Sequence, residues 1–139
     1  RVTVLNRTPA RAASLAADMA GAATGDPPRA GGLTREALAA AAQEAALVVN
    51  TTSLGMWPAV ETTPWPDEVP FPRGAFLYDL VYNPRRTRLM AQAHAAGARA
   101  VDGLRMLVHQ GAEAFTLWTG VEAPVEVMTR ACERALQGG

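Results

Sequence analysis

Apolar residues follow two alternating patterns along the chain. Short continuous runs of strand length occupy residues 2–5, 46–50, 76–82 and 99–102. Between them, apolar positions recur at the i, i+3, i+4, i+7 spacing that gives a helix one buried face. An alternation of strands and helices predicts a doubly wound α/β fold, whose parallel strands are expected to be buried on both faces.

The predicted helices begin at residues that favour helix starts, and several stop at glycines. Thr8 is expected to be an N-cap, with Pro9 at the first helical position, where a missing N–H costs nothing. Thr34 and Thr87 are the expected caps of the next two helices. The predicted helices run from Pro9 to a stop at Gly21, from Thr34 to about Gln43, from Thr87 to Ala96 before Gly97, from Leu104 to about Trp118, and from Pro124 toward the end.

Two stretches rich in glycine and proline interrupt this alternation. Between residues 22 and 32 the breakers exclude a long element and leave room for a short strand near residues 22–24. Residues 57–72 contain five prolines together with Trp57 and Trp65. The second stretch predicts a long irregular surface loop, which is either functional or a rigid connector anchored by both Trp side chains.

The junction of the first predicted strand and helix carries an unusual positive charge. The N-terminus of a helix is positive and normally favours acidic residues, yet Arg7 and Arg11 flank this one. In a dinucleotide-binding fold, an acidic residue at the end of the second strand binds the ribose 2′-OH, whereas an Arg accommodates a 2′-phosphate. The pair Asn6-Arg7 therefore favours NADP over NAD. The alternative is an exposed arginine pair at an ordinary helix start.

Polar side chains also follow the next two predicted strands. Asn50-Thr51-Thr52-Ser53 comes directly after an apolar run, and Tyr82 ends the run that follows it along the chain. In open α/β sheets, ligands bind beyond the carboxyl ends of the strands, so these side chains are candidates for one cleft. The alternatives are a Ser/Thr-rich turn and a half-buried Tyr with its hydroxyl in water.

The last predicted strand ends at a glycine and a helix with two candidate ligand contacts. Gly103 allows close approach of another backbone segment. Met106 and Gln110 are i, i+4 neighbours, and could pack on a flat ring and hydrogen-bond a polyhydroxylated substrate. Alternatively, Met106 belongs to the core and Gln110 is merely exposed. His94 is interpreted as a surface residue rather than a ligand. His109 points about 100° away from Gln110 on an ideal helix and is not expected to be a catalytic base.

Composition narrows the class of protein further. The chain has 139 residues and 49% hydrophobic content, which is enough for the core of one globular domain. Thirteen basic and thirteen acidic residues cancel, so no net charge favours a nucleic-acid or anionic-membrane partner. The single cysteine, Cys132, excludes an internal disulfide and favours a reducing compartment. Since no apolar run reaches membrane-spanning length, we expect a soluble, cytoplasmic protein.

Four stretches of the sequence together resemble the C-terminal, NADP-binding domain of shikimate dehydrogenases. They are Asn6-Arg7-Thr8 with Arg11, residues 50–56, residues 78–82 and residues 102–110. The resemblance covers nearly the whole chain. It implies a Rossmann-like doubly wound parallel sheet that lacks its first strand and glycine-rich turn, with C-terminal helices. The family's reaction is reversible hydride transfer between NADP(H) and the 3-dehydroshikimate/shikimate pair, in aromatic amino acid biosynthesis.

The resemblance also implies roles for individual residues. The first turn would hold the adenosine ribose and its 2′-phosphate, later segments would line the cofactor cleft and the nicotinamide, and two side chains would contact shikimate. Because hydride transfer needs the nicotinamide against the substrate carbon, positioning is this domain's main contribution. The implied cofactor-binding residues are Asn6, Arg7, Thr8, Arg11, Thr51, Thr52, Ser53, Leu80, Gly103 and Met106, and the implied substrate contacts are Tyr82 and Gln110.

Other parts of the enzyme are expected outside this chain. The family's catalytic Lys and Asp belong to an N-terminal substrate domain, and this sequence contains no lysine. Residues 1–120 are expected to form a partial NADP-binding domain, and residues 121–139 a C-terminal helix that packs back on the substrate domain. A chain that opens at Arg1 and enters a strand at once is interpreted as a fragment.

Without its first strand the sheet would have a gap, so we expect the fragment alone to be weakly stable and inactive. Two alternatives stay open for the function. One is a shikimate/quinate dehydrogenase paralogue with relaxed substrate or cofactor choice, and the other is a nucleotide-binding module without chemistry. No metal is expected, and a homodimer is left open.

Overall fold

The computed structural model describes residues 1–21 and 25–137, and they form parallel α/β structure with helices at the C-terminal end. The α/β prediction is thus confirmed. The elements are β1 (Thr3–Asn6), α1 (Pro9–Ala20), β2 (Arg29–Gly32), α2 (Arg35–Ala42), β3 (Leu47–Asn50), β4 (Phe76–Asp79), α3 (Arg88–Ala95), β5 (Arg99–Val101), α4 (Leu104–Thr119) and α5 (Val125–Gln137).

The chain divides into two compact units. The first comprises Arg1–Ala45 and Trp65–Pro72, and the second comprises Ala46–Pro64 and Arg73–Gly139. In the first unit β1 and β2 pair in parallel, and in the second a parallel sheet has the order β3-β4-β5. No helix in the described ranges is both long and apolar enough to cross a membrane.

The first unit is built on small residues and one aromatic pair. Helix α1 packs on both strands through Ala12 and Ala16, which are buried and short enough for close approach. Trp65 and Phe71 are also buried, with ring centroids 4.8 Å apart. The indole Nε1 of Trp65 donates to the carbonyl oxygen of Val69 at 2.8 Å, so the polar atom of this buried ring is satisfied.

The core of the second unit lies between the sheet and its helices. Leu77 of β4, Leu89 of α3 and Leu104 of α4 are at most 2% exposed. Helix α3 packs on β4 and β5, while α4 packs against α5. Thr87 caps α3, since its hydroxyl oxygen accepts from the N–H of Met90 at 3.2 Å as the sequence predicted.

Strand β2 was not predicted. Its residues include Gly31 and Gly32, which lie opposite Leu5 and Asn6 in the parallel register. A Cβ at Gly31 would lie 3.4 Å from the Leu5 side chain, close to ordinary van der Waals contact, and the propensity of both glycines argues against a strand. The short strand expected at residues 22–24 lies outside the described residues.

The prediction that the strands are buried on both faces is wrong for β1 and β3. Val2, next to β1, is 49% exposed, and Leu47 and Val49 of β3 are 58% and 46% exposed. Alternate residues of a strand share a face, so Leu47 and Val49 lie on one face of β3 that is left open to solvent. The expected double anchoring of the 57–72 loop is wrong too, because Trp65 is buried but Trp57 is 68% exposed.

Strand β4 is shorter than the predicted run of residues 76–82. The N–H of Leu80 still donates to Asn50 at 3.0 Å, but the next N–H, of Val81, donates to the carboxylate of Asp79 at 3.2 Å. Because this N–H bonds to a side chain, it does not continue the backbone hydrogen bonding of the sheet. Tyr82 therefore lies beyond the strand rather than at its last position.

Candidate functional site

The first group of candidate residues forms the turn between β1 and α1. Asn6 is half-buried at the end of the strand, and its Oδ1 accepts from the N–H of Thr8 at 2.8 Å. Thr8 occupies the N-cap position in an extended conformation, but its side chain makes no capping hydrogen bond. Thr8 is thus the N-cap residue as predicted, but the expected hydrogen bond of its hydroxyl is missing, and the N–H of Arg11 donates to the Thr8 carbonyl oxygen instead. Pro9 occupies the start of the helix as predicted.

Both arginines of this turn are exposed. Arg7 precedes the helix, and Arg11 lies in its first turn, where its N–H donates to the Thr8 carbonyl at 3.0 Å. Neither guanidinium forms an ion pair with any described residue, and the first turn contains no acidic side chain. Two uncompensated cations at the positive end of a helix dipole are suited to a phosphate dianion.

A second group of candidate residues lies in the second unit, where three segments meet. The N–H of Leu80 donates to the backbone carbonyl oxygen of Asn50 at 3.0 Å, and the N–H of Gly103 donates to that of Val81 at 3.0 Å. A further bond of 2.9 Å joins the N–H of Trp57 to the carbonyl of Asn83. The structure therefore brings the segments that contain Thr51–Ser53, Leu80–Tyr82 and Gly103 together, at the carboxyl ends of β3, β4 and β5.

Gly103 sits where no side chain fits. A Cβ on this residue would lie 2.0 Å from the carbonyl oxygen of Leu80. Because the contact is with backbone, it could not be relieved by a change of rotamer. The close backbone approach predicted at this glycine is confirmed, and it holds the start of α4 against the segment after β4.

The residues around Gly103 differ in exposure. Leu80, Tyr82 and Met106 are half-buried, whereas Gln110, one turn further along α4, is exposed. The helix start is held by Asp102, whose Oδ1 accepts from the N–H of Leu104 at 3.1 Å. Because Met106 is half-buried, it is partly open to solvent instead of lying within the core.

The hydroxyl-rich turn after β3 is held by Asn50, which is only 4% exposed. The Oδ1 of Asn50 accepts from the N–H of Thr52 at 3.0 Å and from its hydroxyl at 2.8 Å. The Thr52 hydroxyl oxygen in turn accepts from the N–H of Leu54 at 3.2 Å. Thr52 therefore shapes the turn, while the side chains of Thr51 and Ser53 are exposed to a ligand.

Sequence reasoning missed Asp79, which is fully buried beneath this site. Its Oδ1 accepts from Asn50 Nδ2 at 2.9 Å, and its Oδ2 accepts from the Thr87 hydroxyl at 2.5 Å. A signal was present, since a carboxylate inside the apolar run Phe76–Tyr82 must find buried partners. The partners themselves follow from the strand register, which places Asn50 opposite Asp79.

An open cavity elsewhere in the second unit, with a volume of about 490 Å³, includes none of the candidate residues. Arg86 and His94 line it, together with the pair formed by Arg85 Nε and Asp102 Oδ2 at 2.5 Å. His94 is exposed on α3, as predicted. Within residues 1–21 and 25–137, no cluster of His, Cys, Asp and Glu is suited to a metal ion.

Comparisons with known proteins agree on one family. The sequence model of the "Shikimate 5'-dehydrogenase C-terminal domain" matches residues 103–133. The NADP(+) shikimate dehydrogenase of Moorella thermoacetica is 49% identical over 135 residues, which are 97% of this chain and 45% of that protein. The chain therefore spans about half the length of the curated relatives it matches.

Two solved structures extend the comparison to the fold. The shikimate 5-dehydrogenase of Thermus thermophilus, in complex with NADP(H) and shikimate, is 40% identical with a TM-score of 0.77, over 97% of this chain and 46% of that one. The quinate dehydrogenase of Corynebacterium glutamicum, in complex with NAD, is 30% identical with a TM-score of 0.77, over 94% of this chain and 45% of that one. The Rossmann-like fold predicted for this chain is thereby confirmed.

Proposed function

Because this chain belongs to the shikimate dehydrogenase family, we propose that it is the cofactor-binding half of an NADP-dependent enzyme that interconverts 3-dehydroshikimate and shikimate. The observation that carries the proposal is the meeting of three polar or glycine-containing segments at the carboxyl ends of β3, β4 and β5. That end of a parallel sheet is where a dinucleotide binds. We place the enzyme in the cytoplasm, where Cys132 stays reduced.

Arg7 and Arg11 hold the 2′-phosphate in this proposal. Both guanidinium groups are exposed and uncompensated by described residues, so a dianion gains charge-assisted hydrogen bonds without displacing an existing pair. Asn6 keeps the turn closed through its contact with Thr8, which leaves that turn available to the adenosine ribose. NADP, once bound, supplies the carbon that accepts or donates the hydride.

The segments of the second unit hold the nicotinamide half of the cofactor. Thr51 and Ser53 offer exposed hydroxyls, while Leu80 and Met106 offer half-buried apolar surface on which a flat ring can pack. Gly103 lets the backbone approach closely enough to set the spacing between Leu80 and α4. These residues orient the ring, which is the contribution a cofactor domain makes to hydride transfer.

Tyr82 and Gln110 contact the substrate from the cofactor side. A half-buried phenol and an exposed amide can both donate and accept hydrogen bonds, which suits a polyhydroxylated carboxylate. The general acid and base, the Lys and Asp implied by the family resemblance, come from the substrate domain of the complete enzyme. The isolated chain is accordingly expected to be inactive.

A test of this function removes the phosphate contacts. In the complete enzyme, changing Arg7 and Arg11 together to Gln should raise the Kd for NADP+ by at least about 100-fold, since hydrogen bonds to charged groups contribute about 1.5–3 kcal/mol each. The Kd for NAD+ should not change, because NAD+ lacks the 2′-phosphate. Isothermal titration with both cofactors measures the two constants.

The matched control for this experiment is Arg29→Gln. Arg29 is another exposed arginine of the first unit, but it begins β2, whereas Arg7 follows the end of the parallel strand β1. The control should bind NADP+ like the wild type. Equal losses of affinity for NADP+ and NAD+ in the double variant would contradict the assignment of the 2′-phosphate to Arg7 and Arg11.

A quinate dehydrogenase is the second candidate, favoured by the similarity to the Corynebacterium glutamicum enzyme. The distinguishing measurement is kcat/KM of the complete protein for shikimate and for quinate, each with NADP+ and NAD+. The proposed function requires the highest value for shikimate with NADP+. Cofactor binding without oxidation of either substrate would favour a nucleotide-binding module.

A further inference from the structure

Asp79 has no solvent exposure, yet each of its carboxylate oxygens is occupied. The Oδ1 accepts from Asn50 Nδ2 at 2.9 Å and from the N–H of Val81 at 3.2 Å. The Oδ2 accepts from the hydroxyl of Thr87 at 2.5 Å. Three donors from three different segments therefore compensate a carboxylate that burial would otherwise penalise.

One arm of this cluster leads to the turn after β3. A carboxylate can only accept, so the Asn50 amide must present its NH2 group to Asp79 and its oxygen to the other side. That oxygen accepts from the N–H and the hydroxyl of Thr52, and the Thr52 hydroxyl oxygen accepts from the N–H of Leu54. The orientation of one amide thus fixes the turn that carries Thr51 and Ser53.

The other arm leads to the segment after β4. The contact with Asp79 takes the N–H of Val81 out of the ladder, while the carbonyl of Val81 accepts from the N–H of Gly103 at 3.0 Å. The preceding carbonyl, of Leu80, lies directly over Gly103. Asp79 thereby sets the path of Leu80–Tyr82 against the start of α4.

We propose that Asp79 is a positioning residue, whose single buried carboxylate aligns the Thr51–Ser53 turn with the Leu80–Tyr82 segment. This inference rests on the proposed function, in which both segments face the nicotinamide half of the cofactor and Tyr82 faces the substrate. Asp79 itself touches neither molecule. Its loss should misplace the reacting groups more than it weakens the hold on the 2′-phosphate, which lies with Arg7 and Arg11.

Asp79→Leu in the complete enzyme keeps about the size and branching of the side chain but removes both acceptor oxygens. Asn50 and the N–H of Val81 then lose their shared acceptor, so both arms are released. Because a misplacement of about 1 Å can cost about 100-fold in rate, kcat should fall by about that factor. The Kd for NADP+ should rise by less than about 10-fold, since the phosphate contacts remain.

A rescue variant distinguishes the two arms. Combining Asn50→Asp with Asp79→Asn reverses the direction of the contact, since the new carboxylate at position 50 accepts from the amide at position 79 and still accepts from Thr52. The N–H of Val81 then faces an NH2 group. In ¹⁵N–¹H spectra the amide signals of Thr52 and Leu54 should return toward their wild-type positions, whereas that of Val81 should stay shifted.

Leu77→Ala is the control for general loss of stability. Leu77 lies on the same strand and is equally buried, but it makes no side-chain hydrogen bond. All variants are assayed well below their melting temperatures. A fall of kcat in Leu77→Ala as large as in Asp79→Leu would overturn the proposal, and so would unchanged Thr52, Leu54 and Val81 signals in Asp79→Leu.

Two further outcomes also bear on the role of Asp79. If Asp79→Leu does not fold, Asn50→Ala cuts the first arm alone, and it must shift the Thr52 and Leu54 signals while leaving that of Val81 in place. If the wild-type enzyme does not oxidise shikimate, the proposed function fails, but the amide signals still decide whether Asp79 aligns the two segments. Unmoved signals in both single variants overturn the inference.

Discussion

Gly103 is the residue whose replacement the structure opposes most directly. A Cβ there would lie 2.0 Å from the Leu80 carbonyl oxygen, so Gly103→Ala must push two backbone segments apart. We expect a loss of stability of about 1–3 kcal/mol, which is typical of overpacking, together with a lower kcat. Thermal unfolding and steady-state kinetics of the complete enzyme measure both effects.

Gly21→Ala is the matched control for that substitution. Gly21 has helical backbone angles and open space around its Cα, so an added methyl group meets nothing within 4 Å. It should be neutral or stabilise by about 0.4–1 kcal/mol, because alanine restricts the unfolded chain. Similar losses of stability in both variants would show that the close backbone approach at Gly103 is not the cause of the destabilisation.

Residue roles were predictable from sequence where the cause is local. The glycine at 103 and the hydroxyls at 51–53 stand directly after apolar runs, which placed them at strand ends. Asp79 was missed because its partner Asn50 is set by the register of β3 and β4, which residue spacing does not reveal. Thr8 is the N-cap as predicted, but its hydroxyl makes no capping hydrogen bond, because the N–H of Arg11 donates to the Thr8 carbonyl oxygen.

Among whole elements, α2 begins at a side-chain cap. The hydroxyl oxygen of Thr34 accepts from the N–H of Ala37 at 3.2 Å. Backbone N–H groups and then the Thr34 side chain hold the pKa of Glu36 below its usual value. Thr34→Ala should therefore destabilise the first unit by about 1 kcal/mol and raise the pKa of Glu36, as measured by thermal unfolding and NMR titration.

The pH dependence of this effect has a definite sign. A carboxyl group whose pKa is lowered by folding adds stability above its unfolded pKa, and this contribution is lost as the pH falls through the folded value. The Glu36 part of the stability difference between wild type and Thr34→Ala should thus shrink in acid. Thr8→Ala is the stability control, since Thr8 makes no capping hydrogen bond; an equal loss there would contradict the role of the cap.

Helices were predicted better than strands for a physical reason. The starts of α2 and α3 depend on Thr34 and Thr87, whose hydroxyls act within their own first turn. Strand β2, with two glycines, depends instead on pairing with β1 across the intervening helix. The exposure of Leu47 and Val49 likewise depends on what lies against β3, which no local pattern encodes.

At the scale of the whole molecule, the parallel α/β class followed from the alternation of elements, but the apolar surface at the end of α4 did not. Leu117 and Trp118 are both 82% exposed, and Val121 and Val127 are more than half exposed nearby in sequence. Large apolar side chains exposed side by side often mark a contact with another protein surface. We propose that the substrate domain of the complete enzyme covers it, in line with the packing expected for residues 121–139.

Trp118→Ser tests that proposal in the complete enzyme. If the indole is buried against the substrate domain, its removal should lower stability by about 3 kcal/mol, whereas a side chain that stays in water should change it by no more than about 0.5 kcal/mol. Leu15→Ser is the control, because Leu15 is an exposed apolar residue on α1, outside this surface. Chemical denaturation of the wild type and both variants measures these changes in stability. A loss of stability confined to Trp118→Ser means that the end of α4 is an internal interface of the enzyme. No loss of stability in either variant means that it is outer surface.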